Sequence, residues 1–258
     1  MGNKRILQHK YTIIFFICVV LGAILFFYRA PFSTGGWDEP FYLSVAHRLT
    51  LGDALLSEEW HVSQLSGFIL YPIMKIYMAL TGTTAGIVLS FRYIYIVFHI
   101  VGTICIYRCL RKWELAGLLA SLYYLFYIPN NVMNFSYNAI GLFGTMFSLV
   151  LMAVSLNSAA WKYVTAGIFF AIGVLACPFN VLMYLLYVLI VCVVAGAKKS
   201  KSAGKWIDKV NNLGVSGLQL RAFLYFTVGA VIVAVVFMVF VLNRDSISEV
   251  FENLPHIL

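Results

Sequence analysis

Charge is what this chain has least of. Asp, Glu, Lys and Arg together make up 11% of its 258 residues, against about 25% in an average soluble domain. Apolar residues reach 62%. A water-soluble fold of this length cannot hide that much apolar surface, so the bilayer must serve as solvent for most of it. Motif cysteines are also missing. Cys18, Cys105, Cys109, Cys177 and Cys192 lie in or at the ends of apolar runs, at no metal-ligand or disulfide-framework spacing. They are expected as small buried apolar side chains. No internal repeat of the kind found in many secondary transporters is evident. The net charge of +8 does not point to nucleic acid, because the basic residues sit in short loops between apolar runs. That is the pattern that orients membrane proteins.

The runs themselves predict an all-α, polytopic transmembrane bundle of about seven spans in a single transmembrane domain. Lys4, Arg5 and Lys10 precede Tyr11–Tyr28. This run is longer than a signal-peptide core and reads as an uncleaved first span with its N-terminus inside. Residues 30–64 form a first outer loop. Segment 65–80 is short and carries Pro72 and Lys75, so it reads as interfacial or re-entrant. Ile87–Tyr107 spans and is followed by Arg108, Arg111 and Lys112. Those cations stay inside only if 65–80 does not cross, as the positive-inside rule prefers. Leu115–Ile128, Asn138–Leu156, Tyr163–Ala176, Val181–Ala197 and Ala222–Leu242 then alternate, with a basic inner loop at 198–221 and an outer tail at 243–258. On this topology 13 of the 18 basic residues lie inside and 8 of the 10 acids outside.

An acid-rich outer face calls for an explanation, and chemistry is one. The first loop contains Gly35-Gly36-Trp37-Asp38-Glu39-Pro40-Phe41-Tyr42. Asp38 suits a helix N-cap and Pro40 the first turn. Phe41, Val45 and Leu49 fall on one face, which predicts a short amphipathic helix on the outer membrane surface, ended by Gly52-Asp53. Its start presents two adjacent carboxylates. Asp38 either only caps that helix or acts as a general base. Downstream, Glu58 and His61 share a helical face and form a weak candidate for a divalent metal. Trp60 is either an interfacial anchor or a stacking platform for a sugar. Lys75 and Arg92 are costly charges in or near apolar segments and are candidates for holding an anionic phosphate. Snorkelling explains Lys75 equally well. Phe91, Tyr93 and Tyr95 crowd Arg92.

A first span followed by an outer Asp38-Glu39 and a surface helix resembles the C-type glycosyltransferase superfamily. Its nearest branch is the protein O-mannosyltransferase and aminoarabinose-transferase-like group. Leu70-Tyr71-Pro72 to Gly82, then Phe91-Arg92 opening a span that ends in basic residues, follows that group's order. Asn134-Phe135-Ser136-Tyr137-Asn138 stands in the place of a second outer motif. The resemblance implies a seven-span module that moves a sugar from a polyprenyl-phosphate donor to an acceptor on the outer face of a bacterial cytoplasmic membrane. It implies Asp38 as base and Glu39 as its aid in acceptor placement. Arg92, with Lys75, would lie near the donor phosphate, and Trp60, His61 and Asn138 near acceptor or sugar. The prenyl tail would lie in a groove with Tyr123, Tyr124 and Tyr127.

Departures from the pattern are specific. Asn138 replaces a common acid and cannot be a base. The Cys177-Pro178 turn lacks a frequent lysine, and relatives usually carry further spans. The alternatives are a non-catalytic module that binds lipid-linked sugar, a partner of a second membrane subunit, and a transporter.

Overall fold

The structure, a computed structural model, describes residues 2–32, 38–58, 65–154, 159–197 and 220–257. Among the described residues it is helical, with no strand. The helices are α1 (Gly2–Arg29), α2 (Asp38–Leu51), α3 (Leu65–Thr81), α4 (Ile87–Leu110), α5 (Glu114–Phe126), α6 (Tyr137–Val154), α7 (Ala160–Ala176), α8 (Val181–Ala197), α9 (Leu220–Leu242) and α10 (Ile247–Ile257). Among the described residues four stretches are long and apolar enough to cross a bilayer: Gln8–Arg29, Ile87–Asn131, Tyr137–Val154 and Leu220–Leu242. Their outward faces are apolar too, with Val20, Leu21, Ile24, Val231 and Val235 all exposed. Water does not tolerate a surface of that kind, and the chain is an integral membrane protein.

The stretch Ile87–Asn131 is not one rod. α4 ends in a 3-10 turn at Arg111–Trp113, and Glu114, with φ 50°, turns the chain back. α5 then returns along α4, with Gly117 against the Leu110 carbonyl and Leu125 beside His99. A Cβ at position 117 would lie 2.7 Å from the Leu110 carbonyl carbon, so only glycine fits this corner. α5 has 13 residues and is about 20 Å long, short of a hydrocarbon core of roughly 30 Å. Residues 127–136 continue from it without α-helix, and Val132, Met133, Asn134, Phe135 and Ser136 are buried. Irregular backbone beside membrane helices is tolerated where protein covers it.

The chain divides into two compact units. The first comprises Met1–Asp53 and Ser66–Ala139. Here α1 packs on α4 and α5. Phe15 stacks on Tyr107 at 3.9 Å, and the Thr12 and Tyr107 hydroxyls share a 3.0 Å hydrogen bond. α2 has the start and end that its sequence predicts, with Gly52 at φ 117° just beyond it. The placement of its apolar face differs from a helix lying on lipid. Tyr42, Leu43, Val45, Ala46 and Leu49 are buried within the protein, and Val45 and Leu49 meet Gly67 of α3.

The second unit comprises Ala54–Leu65 and Ile140–Leu258. Its helices approach closely because glycines face one another's backbones. Gly144 of α6 lies against Phe169 and Gly173 of α7, while Gly141 lies against Cys177. Gly167 of α7 meets the Phe226 carbonyl of α9, and Gly229 of α9 meets the Val164 carbonyl. The contacts step in opposite directions, so both pairs are antiparallel. Small residues at such crossings let membrane helices gain dispersion contacts that lipid cannot supply. Phe170, Phe226 and Ala166 form the core of this unit, with Tyr184 and Tyr187 of α8 beside them.

The cysteines depart from expectation. All five stand outside any disulfide, Cys105 and Cys192 are exposed, and the other three are half-buried. They lie largely on helix surfaces, where apolar lipid takes the place of an apolar core. In the α7–α8 turn, burial pushes the Cys177 thiol up, which makes it a poorer nucleophile.

Candidate functional site

The end of α1, the start of α2 and the start of α4 meet at a buried ion pair. Arg92 Nε donates to Glu39 Oε2 at 2.8 Å, and Nη2 lies 2.7 Å from the same oxygen. Nη1 donates to the Ala30 carbonyl at 2.7 Å, just past the last turn of α1. Glu39 is 1% exposed and Arg92 9%. At such burial neither charge survives alone, since an unmatched ion in low dielectric costs several kcal/mol. The local sequence explains the meeting. Glu39 occupies the first turn of α2, where the helix dipole favours an anion. Arg92 sits in the second turn of α4, at the same end of the unit. One guanidinium therefore ties three helices together.

The 127–137 segment reaches the same end of the first unit. Arg29 donates to Asn131 Oδ1 at 2.9 Å. Tyr42 of α2 meets Tyr137 edge-on, and Tyr95 of α4 meets Phe135. Asn130 and Asn131 both take positive φ, 53° and 57°, a conformation that asparagine tolerates better than most residues. Asn134 Oδ1 accepts from the Phe135 N–H, and Ser136 Oγ accepts from the Ala139 N–H. Ser136 thus caps α6 and fixes Tyr137 and Asn138 in its first turn. Two polar atoms here are buried without a hydrogen-bond partner, Glu39 Oε1 and Asn134 Nδ2. Such atoms are rare in folded proteins and require a reason.

The structure distributes the other residues singled out from the sequence as follows. Asp38 opens α2, directly before Glu39, and its backbone alone is described. Lys75 is exposed on α3, its ammonium 5.8 Å from the Tyr71 ring. Asn138 is half-buried in the first turn of α6. Trp60 and His61 lie outside the described residues. Glu58 Oε2 accepts from the Ala54 N–H at 2.6 Å. Among the described residues no three His, Cys, Asp or Glu side chains gather as metal ligands would. Tyr123 and Tyr127 are exposed and stack on each other, whereas Tyr124 is buried against His99.

His99 was not legible as a special residue within the Ile87–Tyr107 run. It lies two turns below Arg92 on the buried face of α4, with its ring between Tyr95 (5.4 Å) and Tyr124 (4.6 Å). Its Nε2 is 3.0 Å from the Leu125 carbonyl, one of the last carbonyls of α5, which have no partner within their own helix. The imidazole N–H therefore caps α5. Replacing His99 by Phe keeps a stacked ring but abandons that carbonyl. The expected cost is about 1–3 kcal/mol, read as a lower Tm in detergent. An unchanged Tm would remove the capping role.

No family model, curated protein or solved structure matches this chain.

Proposed function

We propose that this chain is a membrane glycosyltransferase module that moves a sugar from a polyprenyl-phosphate donor to an acceptor hydroxyl at the membrane surface. One observation carries the reading. An acidic pair, a buried guanidinium and two unpartnered buried polar atoms, Glu39 Oε1 and Asn134 Nδ2, belong to one end of a membrane-helical unit. An acceptor oxygen and a donor nitrogen without partners suit a ligand rich in hydroxyls, which both donate and accept. In this reading the chain lies in a bacterial cytoplasmic membrane, with its N-terminus inside and this end of the first unit facing out.

The reaction is an inverting substitution. The acceptor oxygen attacks the anomeric carbon as the bond from that carbon to the phosphate oxygen breaks. The bonding pair leaves with the polyprenyl phosphate, and the Asp38 carboxylate takes the acceptor proton. Glu39 and Arg92 hold α1, α2 and α4 in register and so position Asp38. Lys75 and the guanidinium N–H groups beyond the three already engaged offset the charge growing on the leaving phosphate. Asn138 contacts sugar or acceptor.

The test is a panel of radiolabelled polyprenyl-phosphate sugars presented to the purified protein in lipid. Release of label with inversion at the anomeric carbon is expected from the cognate donor. Retention of configuration would contradict a single displacement. A second reading, a lipid-sugar binding subunit without turnover, is favoured by the neutralisation of Arg92 by Glu39. It predicts saturable donor binding with no release.

A further inference from the structure

Beyond α9 the chain carries a surface that the proposed chemistry does not use. α10 opens with reciprocal capping bonds. Ser246 Oγ accepts from the Glu249 N–H at 3.3 Å, while Glu249 Oε2 accepts from the Ser246 N–H at 3.1 Å and from its hydroxyl at 2.7 Å. This capping box fixes where the helix starts and hence its register. Positions 247, 250, 251 and 254, which hold Ile, Val, Phe and Leu, then recur at the spacing of one helical face. Ser248, Glu249, Glu252 and Asn253 fall on the opposite side. Ile247 is 58% exposed and Phe251 67%, so among the described residues nothing covers this part of the apolar face.

The link to α9 says what does cover it. Only Asn243–Ser246 separate the two helices. The N–H groups of Asn243, Arg244 and Asp245 still bond back to the carbonyls of Val239 and Val241. The Arg244 guanidinium lies 4.6 Å from the Phe240 ring. The linker is thus folded onto the end of a helix long and apolar enough to span, and even fully extended it would reach only about 14 Å. An amphipathic helix held that close to the end of a span lies at the headgroup–acyl boundary, where such helices bury their apolar side.

We infer that α10 is an interfacial helix. It lies on the bilayer with Ile247, Val250 and Phe251 in the lipid boundary and Glu249 and Glu252 towards water. Its polar face is acidic rather than basic, so apolar burial holds it there and anionic lipid is not required. This assignment is independent of the chemistry proposed above.

The test uses the full chain with its native cysteines replaced by alanine, in nanodiscs of phosphatidylcholine. Single cysteines at 251 and 252 carry an environment-sensitive fluorophore, and a second pair at 247 and 248 repeats the comparison. The expected result is a blue-shifted probe at 251 and 247, quenched by nitroxide on the lipid acyl chains. Probes at 252 and 248 would stay unquenched and label several-fold faster with a charged maleimide. Equal quenching within both pairs would overturn the assignment. So would a probe at 251 that is shielded from water yet unquenched by lipid, which would mean that protein covers the face.

Discussion

Arg92→Met is expected to destabilise the first unit by about 3–5 kcal/mol, the usual cost of breaking a buried ion pair from one side. Methionine roughly fills the arginine stem but leaves the Glu39 carboxylate buried beside nothing positive. Glu39 Oε1 already lacks a partner, and after the change Oε2 lacks its guanidinium as well. The Ala30 carbonyl loses its donor in addition. The companion Glu39→Gln, Arg92→Met variant removes both charges and should recover much of the loss, because the penalty lies in the uncompensated charge more than in the missing contact. Thermal unfolding of the purified single and double variants in detergent measures both effects. A double variant no more stable than Arg92→Met alone would show that the helices are tied through Ala30 rather than through charge pairing.

The second large effect is steric. Gly167→Val and Gly229→Val each place a side chain against a carbonyl of the facing helix, Phe226 in one case and Val164 in the other. Backbone atoms cannot yield as a flexible side chain would, so α7 and α9 must separate. Overpacking of this kind costs about 1–3 kcal/mol and occasionally more. The upper end is expected here, because every contact along the crossing loosens at once. The two costs should not add. Once one valine has forced the helices apart the second meets open space, so the double variant should resemble the worse single one. Full additivity would mean that each glycine is accommodated locally, without helix movement.

The fold was legible where a residue's own segment decides its structure. Apolar runs announced the membrane helices, and Asp38 with Gly52 bracketed α2. Ser246 and Glu249 spell a capping box. What could not be read was partnership across the chain. Arg92 stood out as a costly charge, but nothing in spacing reveals that Glu39, 53 residues earlier, would meet it. The same holds for His99 and the Leu125 carbonyl, and for the two glycines of the α7–α9 crossing, which look like ordinary glycines in apolar runs. The face of α2 was misleading because an amphipathic pattern does not say whether lipid or protein covers it. Only the approach of Gly67 to Val45 and Leu49 decides that.

The most direct test of the account is the rate at which label leaves a cognate polyprenyl-phosphate sugar in the presence of wild type and of Asp38→Asn, compared at matched folded fraction in lipid. Asparagine keeps the shape of the side chain but cannot take a proton. The account predicts donor binding unchanged and transfer lowered by at least the roughly 10²–10⁴-fold that a general base contributes. Transfer by Asp38→Asn at the wild-type rate would contradict it.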